Sequence, residues 1–161
     1  VSAEQVIQST GLVLPAAATP PPGFTLPFEF ARVSGNRVFL AGHMPQAPDG
    51  SPCGPFGPVP STVPLPAAQQ AARLAGLSML ASLRRAVGDL DRVSAWLMIQ
   101  GFVNADPQYA QTTLVLNGCS ELILEVFGPH VGSHARTAIG VAALPLNSCV
   151  IVAAELELHP G

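Results

Sequence analysis

Apolar side chains recur at Ala71, Leu74, Leu77, Leu80, Leu83 and Val87, and the run stops at Gly88. That spacing, close to 3.6 residues, predicts an amphipathic helix over 67–87 closed by a glycine. A second helix is expected from about Pro107 to Val126, ending near Gly128, because Asp106-Pro107 reads as an N-cap followed by a first-turn proline. Elsewhere the pattern is that of strands. Residues 28–33 and 37–42 are short β-like runs separated by Ser34-Gly35-Asn36, a hairpin signal. Residues 93–103, around Trp96, read as a buried strand, and 135–143 and 149–158 as two closing strands joined through Leu144-Pro-Leu-Asn147. Residues 2–9 predict a short helix ending at Gly11. The proline-rich stretch to Gly23 reads as an extended connector, and 45–66, crowded with Pro and Gly, as a long surface loop. The order ββ-α-β-α-ββ implies an α+β sandwich, one sheet with both long helices on one face. We therefore expect residues 1–23 to form a short helix and connector, and 24–161 a single domain.

Strand parity raises a question about charge. In the last strand Val150, Val152, Leu156 and Leu158 share one face; in the strand before it Ile139 and Val141 oppose Arg136, Ala138, Gly140 and Ala142. Placing the bulky sets beneath the helices puts Arg136 on the opposite, open face of the sheet. Arg136 is also the only Asp, Glu, Lys or Arg between Glu125 and Glu155. A guanidinium stays protonated, and burying it unpaired is costly, so an anion is expected beside it. That anion is a carboxylate of the protein, such as Glu155 or Glu121 of a neighbouring copy, or the carboxylate of a ligand.

Composition narrows the partners. Only 11% of the 161 residues are charged against 48% hydrophobic, so part of the apolar surface is expected to be buried between copies of the chain. All seven basic residues are arginines, which excludes a lysine Schiff base, a pyridoxal-phosphate lysine and a P-loop. A net charge of −3 without a basic stripe argues against nucleic acid. No apolar stretch is long enough to span a bilayer, and the first residues carry no signal-peptide pattern. Cys53, Cys119 and Cys149, widely spaced and odd in number, read as reduced thiols in a cytoplasmic protein. His130 and His134 sit in a Gly/Pro-bearing loop and read as exposed histidines rather than metal ligands, so no metal is expected there.

The stretch Ala135-Arg-Thr-Ala-Ile-Gly-Val-Ala-Ala-Leu-Pro-Leu-Asn147 resembles the closing motif of the Rid family of reactive-intermediate (imine) deaminases, also called the YjgF or endoribonuclease L-PSP family. Further matches are Asn36-Arg-Val-Phe-Leu-Ala-Gly-His-Met-Pro45, Gly88-Asp-Leu-Asp-Arg-Val93, Leu116-Asn-Gly-Cys-Ser-Glu121 and Glu125-Val-Phe-Gly128. The resemblance runs from about residue 28 to 158; the N-terminal helix and the long Pro/Gly loop resemble a distinct subgroup. It implies a chorismate-mutase-like mixed α+β fold assembled as a homotrimer, with ligand clefts between subunits and no cofactor. It further implies that Arg136 clamps the carboxylate of a 2-imino or 2-enamino acid while water attacks the imine carbon, releasing a 2-oxo acid and ammonia.

Carried over position by position, Arg136, Gly42 and Asn117 match the family pattern. Phe28 stands for its early-strand tyrosine, Ala41 for a serine and Ala138 for a cysteine. The glutamate that handles the attacking water falls at Ile151. Glu155 lies on the same face but about 13 Å along the strand, so His43, beside Gly42, and Glu121, one helical turn from Asn117, are the candidate acid/base substitutes. His134 is a candidate to orient the ligand, whereas Cys119 has no cationic partner in sequence to make it a nucleophile. Three functions follow: a Rid-type deaminase, a non-catalytic trimeric binder of a small carboxylate metabolite, and, least favoured by charge, a ribonuclease.

Overall fold

The computed structural model describes all residues, 1–161. Helix α1 (Ala3–Thr10) opens with a reciprocal capping box between Ser2 and Gln5 and ends at Gly11, whose φ of 69° is the left-handed cap that glycine adopts without strain. Its buried Ala3 and Ile7 belong to the main core. The Glu4 carboxylate takes the Arg84 guanidinium and the Leu90 amide, fixing the helix to the body. An arm without regular structure follows, tied to the 45–64 loop by Ala16 N–H to Pro48 O (2.9 Å) and Thr19 N–H to Gly50 O (3.2 Å).

Strands β1 (Ala31–Ser34) and β2 (Arg37–His43) form the expected hairpin, with Gly35 at φ 60° in the turn. Helix α2 (Leu65–Val87) leads to β3 (Val93–Asn104), helix α3 (Thr112–Val131), β4 (Ala135–Val141) and β5 (Val150–Leu158). The sheet order is β1-β2-β5-β3-β4, antiparallel throughout except for the parallel β3–β4 pair. Both long helices cover one face, so the architecture is the chorismate-mutase-like α+β sandwich expected. The two closing strands are separated by β3, and β4 is an edge strand. No helix is long and apolar enough to cross a membrane.

The helical layer lies close because its contact residues are small. Ala68, Ala71, Ala72 and Ala75 of α2 are fully buried. A Cβ placed on Gly118 of α3 would stand 1.9 Å from the Gln69 carbonyl oxygen of α2, so only glycine permits this approach. On β3, Gly101 admits the Leu116 side chain of α3 in the same way.

Two expectations need correction. Helix α3 starts at Thr112, five residues beyond Pro107. Asp106 does not cap it: the carboxylate accepts the Ser61 amide and hydroxyl, both at 2.7 Å, and Gln108 at φ 68° breaks the helical path. The parity of β4 is also reversed. Arg136 pairs with Ile99, which pairs with Ala154, and both partners are buried under the helices. Arg136, Ala138 and Gly140 therefore face the helical layer, while Ile139, 45% exposed, faces outward. Side-chain bulk marks the core in central strands. At this edge the residues that face the helices are the small ones: a Cβ on Gly140 would meet Ala105 Cβ at 3.1 Å and Thr112 Cγ2 of α3 at an ordinary contact distance of 3.6 Å.

Candidate functional site

Arg136 projects from β4 onto α3. Nη1 donates to Asn117 Oδ1 and Ser120 Oγ, both at 3.0 Å; Nη2 donates to the Thr113 carbonyl at 3.0 Å and its hydroxyl at 2.7 Å. All four acceptors are neutral. The ion pairs of the chain, Arg37–Glu155, Arg73–Glu125 and Arg84–Glu4, do not include it. Glu155, a candidate partner, already lies 3.4 Å from Arg37. Of the five guanidinium N–H groups, Nε–H alone makes no hydrogen bond within the chain. The result is a half-buried cation, held in place and uncompensated by its own chain.

A second contact extends this cluster. Ser120 Oγ lies 2.9 Å from His134 Nε2, and His134 Nδ1 lies 2.7 Å from the Gly132 carbonyl. A carbonyl only accepts, so Nδ1 carries the proton and Nε2 is left to accept the Ser120 hydroxyl proton. Arg136, Ser120 and His134 thus form one hydrogen-bonded chain. Thr113 and Ser120 were not singled out from sequence, although Thr113, Asn117 and Ser120 at i, i+4 and i+7 are a stripe of short polar residues on one helix face. Glu121 is exposed on α3 and makes no hydrogen bond with the cluster. Cys119 is fully buried and its thiol is pushed up to about 12 by desolvation, against a weaker opposing pull from Arg136. It is no thiolate at neutral pH.

Phe28, Gly42, His43 and Ile151 gather elsewhere, around a cavity of about 390 Å³ at the C-terminal end of β2. A Cβ on Gly42 would stand 3.0 Å from Ile151 Cγ2, so the Ile151 side chain packs close against the Gly42 backbone. His43 is 3% exposed. Its Nδ1 donates to the Ala41 carbonyl at 2.5 Å, and Nε2 meets the Ser82 hydroxyl at 2.8 Å. Burial lowers its pKa to about 4, with the Ala41 hydrogen bond opposing and the nearby Arg85 charge adding a smaller push downward. His43 is therefore a neutral ring with both nitrogens satisfied, which disfavours it as the substitute base.

The candidate residues thus fall into two half-sites. Ile151 pairs with Phe102 and Phe102 with Ile139, all on the open face of the sheet, whereas Arg136 belongs to the face beneath the helices. Arg136, Asn117 and Ala138 lie on one half-site; Phe28, Gly42, His43 and Ile151 lie on the other. The Ala138 carbonyl accepts the Thr112 hydroxyl at 3.1 Å. No group of three or more His, Cys, Asp or Glu side chains is placed to hold a metal ion.

The fold and these positions can be set beside known proteins. Residues 10–158 match the family model described as "YjgF/chorismate_mutase-like, putative endoribonuclease". Protein TCP17 of Trypanosoma cruzi is 37% identical over 153 residues, covering 95% of this chain and 92% of that protein. Among solved structures, Atu1372 of Agrobacterium tumefaciens, of unknown function, superposes with a TM-score of 0.80 at 32% identity, over 97% of this chain and 91% of its own. A Shewanella oneidensis protein carrying the same endoribonuclease description superposes with a TM-score of 0.87 at 28% identity, over 98% and 100% of the two chains. From residue 10 to residue 158, sequence and fold agree that the chain belongs to the YjgF/chorismate-mutase-like family.

Proposed function

We propose that the chain is a Rid-type deaminase that binds small 2-imino acids by their carboxylate at Arg136 and hydrolyses them to 2-oxo acids. The observation that carries this reading is the Arg136 guanidinium, fixed on four neutral acceptors with no carboxylate of its own chain beside it. Fixing the fork in advance lowers the ordering cost of binding an anion. An incoming carboxylate meets the free Nε–H first. Displacing the Thr113 hydroxyl, the exposed end of the network, then frees a second donor for a two-point clasp.

Hydrolysis adds water across C=N and expels ammonia: R–C(=NH)–COO⁻ + H₂O gives R–CO–COO⁻ + NH₃. One proton leaves the attacking water and the departing nitrogen gains one. With Ile151 apolar and His43 neutral and satisfied, the Ser120–His134 pair is the acid/base group nearest the clamp, and we assign proton transfer to it. Because Ile151 lies on the face of the sheet opposite Arg136, a second copy is needed to bring Gly42 and Ile151 to Arg136. The open face carries exposed Phe39 and Ile139, apolar surface suited to that contact, and the family resemblance points to a homotrimer with three such clefts.

A non-catalytic carboxylate binder is the second reading, favoured by Ile151 in place of the glutamate. A ribonuclease fits poorly with a net charge of −3 and no lysine. The deciding experiment measures 2-oxo acid release from freshly generated imines by the wild type, Arg136→Ala and His134→Ala. Catalysis predicts release above the uncatalysed rate that is lost in Arg136→Ala and falls 10²- to 10⁴-fold in His134→Ala. Background rates for all three proteins overturn the deaminase assignment.

A further inference from the structure

One hydroxyl joins His134 to Arg136. Arg136 Nη1 donates to Ser120 Oγ at 3.0 Å, and Ser120 Oγ lies 2.9 Å from His134 Nε2. The imidazole and the guanidinium therefore stand no more than about 6 Å apart, well inside the reach of charge–charge interaction. The Gly132 carbonyl, 2.7 Å from Nδ1, holds the single proton of the neutral ring and leaves Nε2 to accept from Ser120. A second proton can enter without breaking the chain. Nε2–H then donates to Ser120 Oγ, and the serine proton turns to the Leu116 carbonyl four residues back, an acceptor that helix serines use. Hydrogen bonding thus permits both states of the ring, and the surrounding charge decides between them.

That charge is sparse. Arg136 is the only charged side chain on β4, and the adjoining β3 carries none. On α3, Glu125 is paired with Arg73 at 2.9 Å, while Glu121 and His130 are exposed and bond neither group. The buried Cys119 thiol, pushed up to about 12, stays neutral. No acid of the chain is bonded to His134 or to Arg136.

We infer that a carboxylate bound at Arg136 draws a proton onto His134, so that acid binding at this site is proton-linked and tightens as the pH falls. The inference rests on the clamp proposed above and adds its regulation. In the empty site an imidazolium would face the Arg136 cation with no anion beside either. A bound carboxylate offsets both charges, so the protonated ring becomes the favoured state. The coupling is reciprocal: an anion that favours the imidazolium is favoured by it to the same factor. For charges about 6–8 Å apart in a half-exposed site, that factor is about 3- to 10-fold.

The test is a calorimetric titration of the full chain with pyruvate, an anion throughout, at pH 8 and pH 5.5, a span in which imidazoles titrate. The lower limit keeps His43, with its pKa of about 4, neutral. The proteins compared are the wild type, His134→Gln, His130→Gln and Arg136→Ala, with thermal melts as the check on folding. Pyruvate should bind the wild type about 3- to 10-fold tighter at pH 5.5 than at pH 8. At pH 7, heats in two buffers of different ionisation enthalpy should show proton uptake on binding. The ratio should fall close to one in His134→Gln, whose amide cannot take the proton, and persist in His130→Gln. The wild type offers a readout that needs no folded variant: saturation with pyruvate at pH 7 should move the ¹⁵N signals of the His134 ring toward imidazolium.

Failure of the inference and failure of the clamp are distinguishable. Binding that Arg136→Ala abolishes but that is equal at the two pH values, or whose pH ratio survives in His134→Gln, overturns the inference and leaves the clamp standing. Binding untouched by Arg136→Ala, or no binding at either pH, overturns the clamp and the linkage with it.

Discussion

Gly118→Ala tests the helix contact on which the Arg136 site is built. The added methyl would lie 1.9 Å from the Gln69 carbonyl oxygen, 2.8 Å from its carbonyl carbon and 3.3 Å from its Cα. These are backbone atoms of α2, and a carbon–oxygen contact needs roughly 3.2–3.4 Å, so the helices must separate by about 1 Å or more. Overpacking of this kind costs about 1–3 kcal/mol, here at the upper end because no flexible side chain can yield. Alanine returns about 1 kcal/mol as a better helix former than glycine. The net is about 2 kcal/mol, or a melting temperature lower by about 4–8 °C for a chain of this size.

Gly76→Ala is the matched control. It sits in the same helix pair, but its methyl meets the Leu122 side-chain end at 2.9 Å and the Cys119 sulfur at 3.3 Å. Leu122 can adjust, so the expected change is within about 1 kcal/mol. The assay is urea and thermal unfolding followed by circular dichroism, with pyruvate binding measured alongside. Because Thr113, Asn117 and Ser120 travel with α3, Gly118→Ala should weaken acid binding as well as stability. A Gly118→Ala protein as stable as the wild type, or one less stable than Gly76→Ala by nothing measurable, would refute the close-contact argument.

Other consequences follow from single groups. His43 has a folded-state pKa depressed from 6.5 to about 4, so its contribution to stability is complete above about pH 6.5 and is lost as pH falls toward 4. Over that window the loss reaches about 3 kcal/mol, and His43→Gln should flatten the pH dependence of urea unfolding between pH 7 and 4. An unchanged slope in the variant would place the acid sensitivity elsewhere. Thiol alkylation of the native protein near pH 8 should stop at half-exposed Cys53 and extend to Cys119 and Cys149 only in denaturant, as counted by intact mass. Asp106→Ala removes both acceptors from the Ser61 amide and hydroxyl and should cost about 1–3 kcal/mol in urea unfolding. Ile151→Glu should raise imine turnover at least tenfold if the missing acid/base group limits the rate, and a rate no faster than wild type would mean that it does not.

How far the sequence reaches depends on the residue considered. The 67–87 helix was legible because its period is set by burial against the sheet, and α2 runs Leu65–Val87. The hairpin at Gly35 was legible because the turn needs a positive φ. Arg136 stood out as a lone charge, yet bulk points to the wrong face: on this edge strand the short residues Ala138 and Gly140 face the helical layer while bulky Ile139 is left outside. The start of α3 was misread because Asp106 is recruited by Ser61, distant in sequence, which a local capping rule does not see. The division of the candidate residues into two half-sites was invisible because it depends on strand order, with β3 standing between β4 and β5.

The central claim is that Arg136 offers its charge and its free Nε–H to a carboxylate. Arginine side-chain N–H spectra of ¹⁵N-labelled protein read this directly, with the Arg136 signal assigned by its disappearance in Arg136→Lys. Saturation with phenylpyruvate should shift the Arg136 Nε–H resonance strongly downfield, leaving those of Arg37, Arg73 and Arg84, each already ion-paired, in place. A bound acid that leaves the Arg136 signal unmoved would contradict the account.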